Sequence, residues 1–340
     1  MNATINLEKE KHFPVLLDEL VSIISPHYGG TFIDCTFGQG GYSKKILEHQ
    51  DNQIIALDRD TDTLKNVNWF KEKYKERFYF ENKKFSDIDK IEINVENLKA
   101  AIFDLGYSFN QIKDPKKGLS FNSIGKLNMK MGLNDVSADE VVNNLDQKSL
   151  EKIFKFFGEE SKYKLISKRI VELRKNKNIN TEDLVKIINS AKKYKNYKIH
   201  NATKVFQALR IFVNQEISEL IYGLINSFKI LPVGGVIIVV TFHSIEDRIV
   251  KFLFKNYSEN KNTSRYIPNK LENKKLFKLI EKKPILPSLK EKKINPPSRS
   301  AKLRYAIKIA DKGDFTEFLK KFDYLIDVEN LAKQLWKELH

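Results

Sequence analysis

Two hydrophobic periods alternate along the first hundred residues. Short apolar runs at 31–35, 54–57 and 78–80, and the longer run KAAIFDLG from Lys99 to Gly106, read as buried strands. Between them, residues 15–25, 43–49 and 61–75 repeat apolar positions at helical spacing, with Ser43 as the expected N-cap of the second helix. Strand and helix units repeated at this spacing predict an α/β fold built on a parallel, doubly wound sheet.

The pattern then changes. Residues 110–200 hold almost no strand-like run but carry helical periods at 138–145, 149–156, 162–174 and 181–193, which predicts a helical insertion. A long helix expected from Lys204 to Phe228 leads to GVIIVVTFHS, the most strand-like run in the chain, and SRSAKLRYAIKIA at 298–310 supplies a last strand. The expected organisation is a first core segment at 1–110, an inserted helical domain at 111–203, a second core segment at 204–311 and a helical tail at 312–340. Within the second core segment, 255–297 is rich in Lys and Pro and reads as a basic loop.

Composition narrows the picture. With 340 residues and 41% hydrophobic content the chain can bury a large core. No apolar run approaches the roughly 18 residues of a membrane span, and MNATINLEKEKHF lacks the pattern of a signal peptide. A cytoplasmic protein without membrane contact is expected. The single cysteine, Cys35, excludes an internal disulfide and a multi-cysteine zinc site. Net charge is +16, and between Lys251 and Arg304 there are 16 Lys and Arg against 4 Asp and Glu. Charge concentrated in one sixth of the chain points to a polyanionic partner, since each neutralised phosphate releases counterions.

Three clusters carry candidate chemistry. DCTFGQGGYS places Gly38, Gly40 and Gly41 in a turn between a strand and a helix, and Asp58 follows at the end of the next strand, where an acid can grip ribose hydroxyls. The spacing is not the dinucleotide fingerprint; it fits S-adenosylmethionine, fits NAD less well, and is compatible with a structural turn. FDLGYSFNQ ends the fourth strand, so Asp104 should face the glycine turn across the crevice, either closing a loop or accepting a bond from a cofactor or amino group. TFHSIEDRIVK brings His243 and Ser244 off the most buried strand; Ser244 with Asp247 fits a helix cap, and both residues are also candidates for substrate contact.

Taken in order, HFPVLLDEL (12–20), DCTFGQGGYS (34–43), LDRD (57–60), DLGYSFNQ (104–111), KGLSF (117–121), LNMKM (127–131), FGEESKYKLISKRIV (157–171), HNATKVFQALRIFVNQEI (200–217), GGVIIVVTFHSIEDRIVK (234–251) and NPPSRSAKLR (295–304) resemble the bacterial 16S ribosomal RNA cytosine-N4 methyltransferase family. The resemblance implies a Rossmann-like class I S-adenosylmethionine-dependent methyltransferase sheet with an inserted all-helical domain that recognises substrate. It implies cofactor contacts at Gly40, Gly41, Tyr42, Asp58, Phe85, Asp104 and Gln111, with S-adenosyl-L-methionine as cofactor and no metal. The implied reaction methylates N4 of the cytidine at nucleotide 1402 of 16S rRNA. The implied partner is the small ribosomal subunit or its late precursor, and a homodimer is compatible.

Cytosine N4 is a poor nucleophile because its lone pair is delocalised into the ring, so a site must accept its proton and hold it in line with the methyl group. On this reading Asp104 sits beside the amino group, with His243 and Ser244 on the far wall as catalytic candidates. Arg169 and Arg174 of the insertion, with Arg299, Lys302 and Arg304, would hold RNA phosphates. The chain departs from the family pattern at Tyr42, where a histidine is usual, at Tyr107 and Phe109, which are larger, and at Asn128, where an aspartate is usual. These departures motivate a second reading, a cofactor-binding ribosome-assembly factor of the same fold that transfers no methyl group.

Overall fold

The computed structural model describes residues 14–92, 97–107, 114, 117–121, 123, 126–192, 200–258 and 275–339. The first unit runs α1 (Leu17–Ile24), β1 (Gly30–Asp34), α2 (Gly41–Ile46), β2 (Asn52–Leu57), α3 (Leu64–Tyr74), β3 (Phe78–Glu81) and β4 (Leu98–Asp104). Four helices follow, α4 (Ala138–Asn144), α5 (Gln147–Phe156), α6 (Tyr163–Arg174) and α7 (Thr181–Lys192). The chain then forms α8 (Thr203–Asn214), α9 (Glu216–Ile230), β5 (Val236–Thr241), α10 (Ser244–Asn256), β6 (Phe277–Lys278), α11 (Leu289–Ile294), β7 (Lys302–Lys308) and α12 (Thr316–Leu339).

The described strands form one seven-stranded sheet in the order β3-β2-β1-β4-β5-β7-β6. The five strands from β3 to β5 are parallel, and β7 runs antiparallel between β5 and β6. Strands covered on both faces need no alternation, which is why β1 is buried at every position and reads as a continuous apolar run. Strand order reverses between β1 and β4, and a crevice opens beyond their carboxyl ends.

One sheet face packs Phe32, Ile54 and Ile102 against Leu20, Ile46 and Phe70 of α1 to α3. The opposite face packs Ile33 and Phe103 in a contiguous cluster with Leu220 and Leu224 of α9 and with Val141, Ile153, Ile170 and Ile187 of the four inserted helices. The insertion therefore shares a core with the sheet, and the walls of the crevice are fixed to one another by apolar burial.

Three local expectations are corrected. The helix expected over Lys204 to Phe228 is two helices, broken at Gln215, which takes the left-handed conformation with φ 50°. The cause is tertiary: buried Asn214 donates from Nδ2 to the carbonyls of Met129 (2.8 Å) and Arg210 (2.9 Å) and accepts from Met131 N at 2.9 Å. Arg59 donates to the Asn214 carbonyl at 2.7 Å. The basic stretch is not wholly loop, because α10 runs to Asn256 and β6 and α11 lie within it. Finally, α2 starts earlier than expected, with Gly40 at its N-cap and Ser43 in its first turn.

Candidate functional site

A cleft of about 440 Å³ lies at the carboxyl ends of β1 and β4, within the size range of small-molecule sites. The glycine turn forms one wall. It is fastened by Asp58, whose Oδ2 accepts from Gly38 N at 2.7 Å and whose Oδ1 accepts from Asp60 N at 2.8 Å. Gly40 N donates to the Phe37 carbonyl at 2.7 Å and closes the turn. Burial pushes the Asp58 carboxyl up to about 6, although two backbone donors oppose the shift. Ser43 does not cap α2; its hydroxyl donates to buried Asp34 Oδ2 at 2.6 Å and locks the helix to the end of β1.

Asp104 closes the end of β4. Its backbone N–H donates to Thr36 Oγ1 at 2.7 Å, whereas its carboxyl Oδ1 is buried without a protein partner. Burial first, then the charges of Asp34 and Glu246, hold this carboxyl well above the usual range. Tyr42 lies beside it and pulls in the other direction; the Tyr42 hydroxyl donates to the Val15 carbonyl at 2.5 Å. Gln39 also lines the cleft, and its Nε2 is buried without a partner. A lone acceptor and a lone donor in one cleft leave two buried polar positions for a ligand to satisfy.

Phe85 lines the cleft and is set edge-on to Phe103, with centroids 5.4 Å apart. Gly223 of α9 backs it, where a Cβ would come within 2.6 Å of the ring. Gln111 and Phe109 lie outside the described residues.

The far wall differs from the expectation. His243, not Ser244, is the N-cap of α10, in a capping box with Glu246. Its Nε2 lies 3.0 Å from Glu246 Oε1, and Glu246 Oε2 accepts from the N–H groups of Phe242 (2.8 Å) and His243 (3.2 Å). Burial alone would raise Glu246, but His243, Arg210 and the Phe242 N–H together hold it below its ordinary value. Phe242 and Glu246 line the cleft, while Ser244 Oγ donates to Glu159 Oε2 at 2.9 Å across to the loop after α5. Asp247 belongs to no cap; it binds Lys302 at 2.8 Å and Arg304 at 2.7 Å.

Sequence reasoning missed Glu246, Glu216 and Arg210. Arg210 forms a bidentate pair with Glu216, both bonds 2.8 Å, and its guanidinium lies 4.5 Å from the centroid of the Tyr107 ring. Glu216, His243 and Glu246 bring possible ligand atoms within 4.8 Å of one another, and Arg210 already supplies positive charge to that group. A detectable signal existed for Glu246 alone, three residues after His243, as capping-box spacing.

The five basic residues named from sequence differ in their surroundings. Arg169 donates to Ser190 at 2.5 Å, and Arg174 donates to the carbonyls of Val142 (3.1 Å) and Leu145 (2.7 Å) at the end of α4. Arg299 is exposed, whereas Arg304 turns inward to Asp247 and also borders a second, basic cleft of about 380 Å³ with Lys251, Lys255 and Lys282. No helix among the described residues is long and apolar enough to cross a membrane.

Comparison with known proteins gives the family. Residues 9–309 match the model of the MraW methylase family. The chain is 40% identical over 307 residues to ribosomal RNA small subunit methyltransferase H of Orientia tsutsugamushi, covering 88% of this chain and 98% of that protein. It is also 40% identical over 305 residues to the protein of the same name from Rickettsia bellii, covering 88% and 100%. An rRNA methylase from Streptococcus thermophilus is a remote structural likeness, at 10% identity and a TM-score of 0.38 over 86% of this chain and 96% of that one. The parallel sheet, its antiparallel last pair and the cleft at the switch point are those of an S-adenosylmethionine-dependent methyltransferase, and the chain belongs to the MraW methylase family.

Proposed function

We propose that this enzyme methylates the N4 amino group of the cytidine at nucleotide 1402 of 16S rRNA in the small ribosomal subunit or its late precursor. The relatives named for small-subunit methylation support the substrate class. The observation that carries the chemistry is Asp104: a buried carboxyl with a free oxygen, at the switch point, held well above the usual carboxylate range.

When bound, S-adenosylmethionine supplies an electrophilic methyl group on a sulfonium. Gly40, Gly41, Tyr42, Asp58 and Phe85 shape its side of the cleft on this reading, and Gln111 completes the set implied by the family resemblance. Asp104 accepts a hydrogen bond from the amino group, which draws the nitrogen out of conjugation and gives its proton a destination. A carboxyl already shifted upward is a better base than an ordinary one. His243 acts here through Glu246, which it holds ionised on the opposite wall, and Tyr107 stacked on Arg210 offers an aromatic edge to an extruded base. Arg299 and the Lys251, Lys255 and Lys282 cleft meet phosphates, and Lys302 and Arg304 support that face through Asp247.

The test is methyl transfer from labelled S-adenosylmethionine to 30S subunits lacking the modification, with the nucleoside identified by mass spectrometry. N4-methylcytidine is the expected product. Cofactor binding with no product would replace this reading with that of an assembly factor, and a different modified nucleoside would redirect it to another amino group.

A further inference from the structure

The family match ends at residue 309, and α12 lies wholly beyond it. This helix is nevertheless built into the molecule. Phe318, Phe322, Leu325, Val328, Ala332 and Leu335 are buried within the same cluster as the inserted helices and the sheet face. Tyr324 meets Phe156 of α5 edge-on, and Phe318 and Phe322 both pack on Phe252 of α10. The helix thus touches both the insertion and the sheet-bearing core.

One polar residue interrupts its apolar face. Glu329 is 2% exposed, and its two carboxyl oxygens accept from Ile217 N and Ser218 N, each at 2.8 Å. These are the second and third residues of α9, the positions whose N–H groups an N-cap side chain normally satisfies. The actual N-cap, Gln215, is left-handed and makes no side-chain capping bond. A carboxyl group from a distant helix therefore performs the capping that the local sequence omits. The turn so capped matters, because Glu216 and Glu219 both line the cofactor cleft. Glu216 holds Arg210, and Glu219 accepts from Ser86 N, next to Phe85, at 3.4 Å.

We propose that Glu329 is a positioning residue for the cofactor cleft, its carboxyl group holding the first turn of α9 so that Glu216 and Glu219 stand on the cleft wall, and that α12 thereby completes a site whose other residues all come from the family region. The inference rests on the cofactor cleft and is independent of which base is methylated.

The experiment uses the full chain and S-adenosylhomocysteine as probe. Glu329→Gln keeps the volume but turns an amide N–H₂ toward one of the two backbone donors. Its dissociation constant should rise about tenfold, and amide exchange at Ile217 and Ser218 should accelerate by a similar factor. Leu335→Ala, which loosens the same helix six residues beyond Glu329, should lower the melting temperature and leave that affinity unchanged. In the wild-type protein, the probe should slow exchange of the α12 amides around Glu329, because coupling between two sites is reciprocal. Unchanged affinity in Glu329→Gln, an equal loss of affinity in Leu335→Ala, or α12 exchange indifferent to the probe would each overturn the proposal. Failure of methyl transfer to 30S subunits would leave all three readings interpretable, since they depend on cofactor binding alone.

Discussion

Replacing Gly40 by alanine separates two demands that the glycine turn makes. Gly40 has φ 73°, a conformation that costs an L-residue about 1–2 kcal/mol. A Cβ there would also stand 2.5 Å from Phe70 Cζ and 2.7 Å from Phe37 Cε2. Neither ring can step aside, because both are buried and pack on Phe78 with centroids 5.3 Å (Phe37) and 5.0 Å (Phe70) away. Overpacking of a filled core adds about 1–3 kcal/mol, so the expected loss is about 2–5 kcal/mol. Gly38 makes the control: φ is 52°, but the nearest atom to its added Cβ is 3.8 Å away, leaving only the conformational cost of about 1–2 kcal/mol. At about 2.1 cal/mol/K per residue, 340 residues convert these into a fall in melting temperature of about 3–7 °C for Gly40→Ala and about 1–3 °C for Gly38→Ala. Urea and thermal unfolding of the two variants without ligand measure the difference. Equal losses, or the larger loss at Gly38, would mean that the aromatic floor under the turn is not packed as described.

Further outcomes follow from the buried carboxyls and the exposed bases. Asp104→Asn should abolish methyl transfer and weaken S-adenosylmethionine more than S-adenosylhomocysteine, because only the former carries the sulfonium charge; calorimetry with both ligands reads this, and wild-type turnover would refute the assignment. Binding of the sulfonium should also strengthen with rising pH relative to the neutral analogue, by up to tenfold per unit while one proton leaves Asp104. Asp34 and Asp58 are each raised from 3.8 to about 6 in the folded state, so their contribution to stability is full below pH 3.8 and is lost as pH rises through 6. A shift of about two units corresponds to about 3 kcal/mol per group, and Asp34→Asn should flatten the ligand-free stability profile between pH 4 and 6; an unchanged slope would contradict the burial. Triple replacement of Lys251, Lys255 and Lys282 by Ala should weaken RNA binding and lower the slope of log affinity against log salt by about 2–3, and an unchanged slope would remove that cleft from the RNA face.

How much of this was legible depended on whether the cause was local. The strands were, because a parallel strand covered on both faces is apolar over most of its length, as Phe32 and Ile33 of β1 and Ala100 to Phe103 of β4 are. The switch point followed from their order, and so did the placing of Asp104 opposite the glycine turn. Helix periodicity carried through Gln215 without a mark, since what breaks the helix there is the capture of Asn214 by Met129 and Met131, residues more than eighty positions away. The same blindness hid Glu329, whose partners Ile217 and Ser218 are separated from it by over a hundred positions. Ser244 was favoured as a cap because serine is the commoner cap, yet the turn is set one residue earlier, where the Phe242 and His243 N–H groups can reach Glu246. A basic segment reads as a loop until a two-residue stretch such as Phe277–Lys278 finds an edge to pair with, here that of β7.

The departures from the family pattern bear on whether the site still works, and the geometry gives Tyr42, Tyr107 and Asn128 a physical reason to be tolerated. Tyr42 is buried, yet its hydroxyl reaches the Val15 carbonyl and lies beside Asp104, so the ring ties the segment before α1 to the glycine turn without leaving its hydroxyl unpaired. Tyr107 adds bulk at the mouth of the cleft, but that bulk lies over the Arg210 guanidinium, an attractive contact for an aromatic face, and Arg210 is held in place by both of its bonds to Glu216. Asn128 removes a carboxylate, and its remaining side-chain oxygen accepts from Lys130 N at 3.4 Å in the same loop. Asp58, Asp104, Glu216 and Glu246 are among the acids that line the cleft. A site that had lost its purpose would be expected to leave bulky or polar replacements without partners, since nothing would penalise them. Here Tyr42 and Tyr107 both have partners, the Val15 carbonyl and the Arg210 guanidinium, and two buried polar atoms of cleft-lining residues, Gln39 Nε2 and Asp104 Oδ1, are left for a ligand.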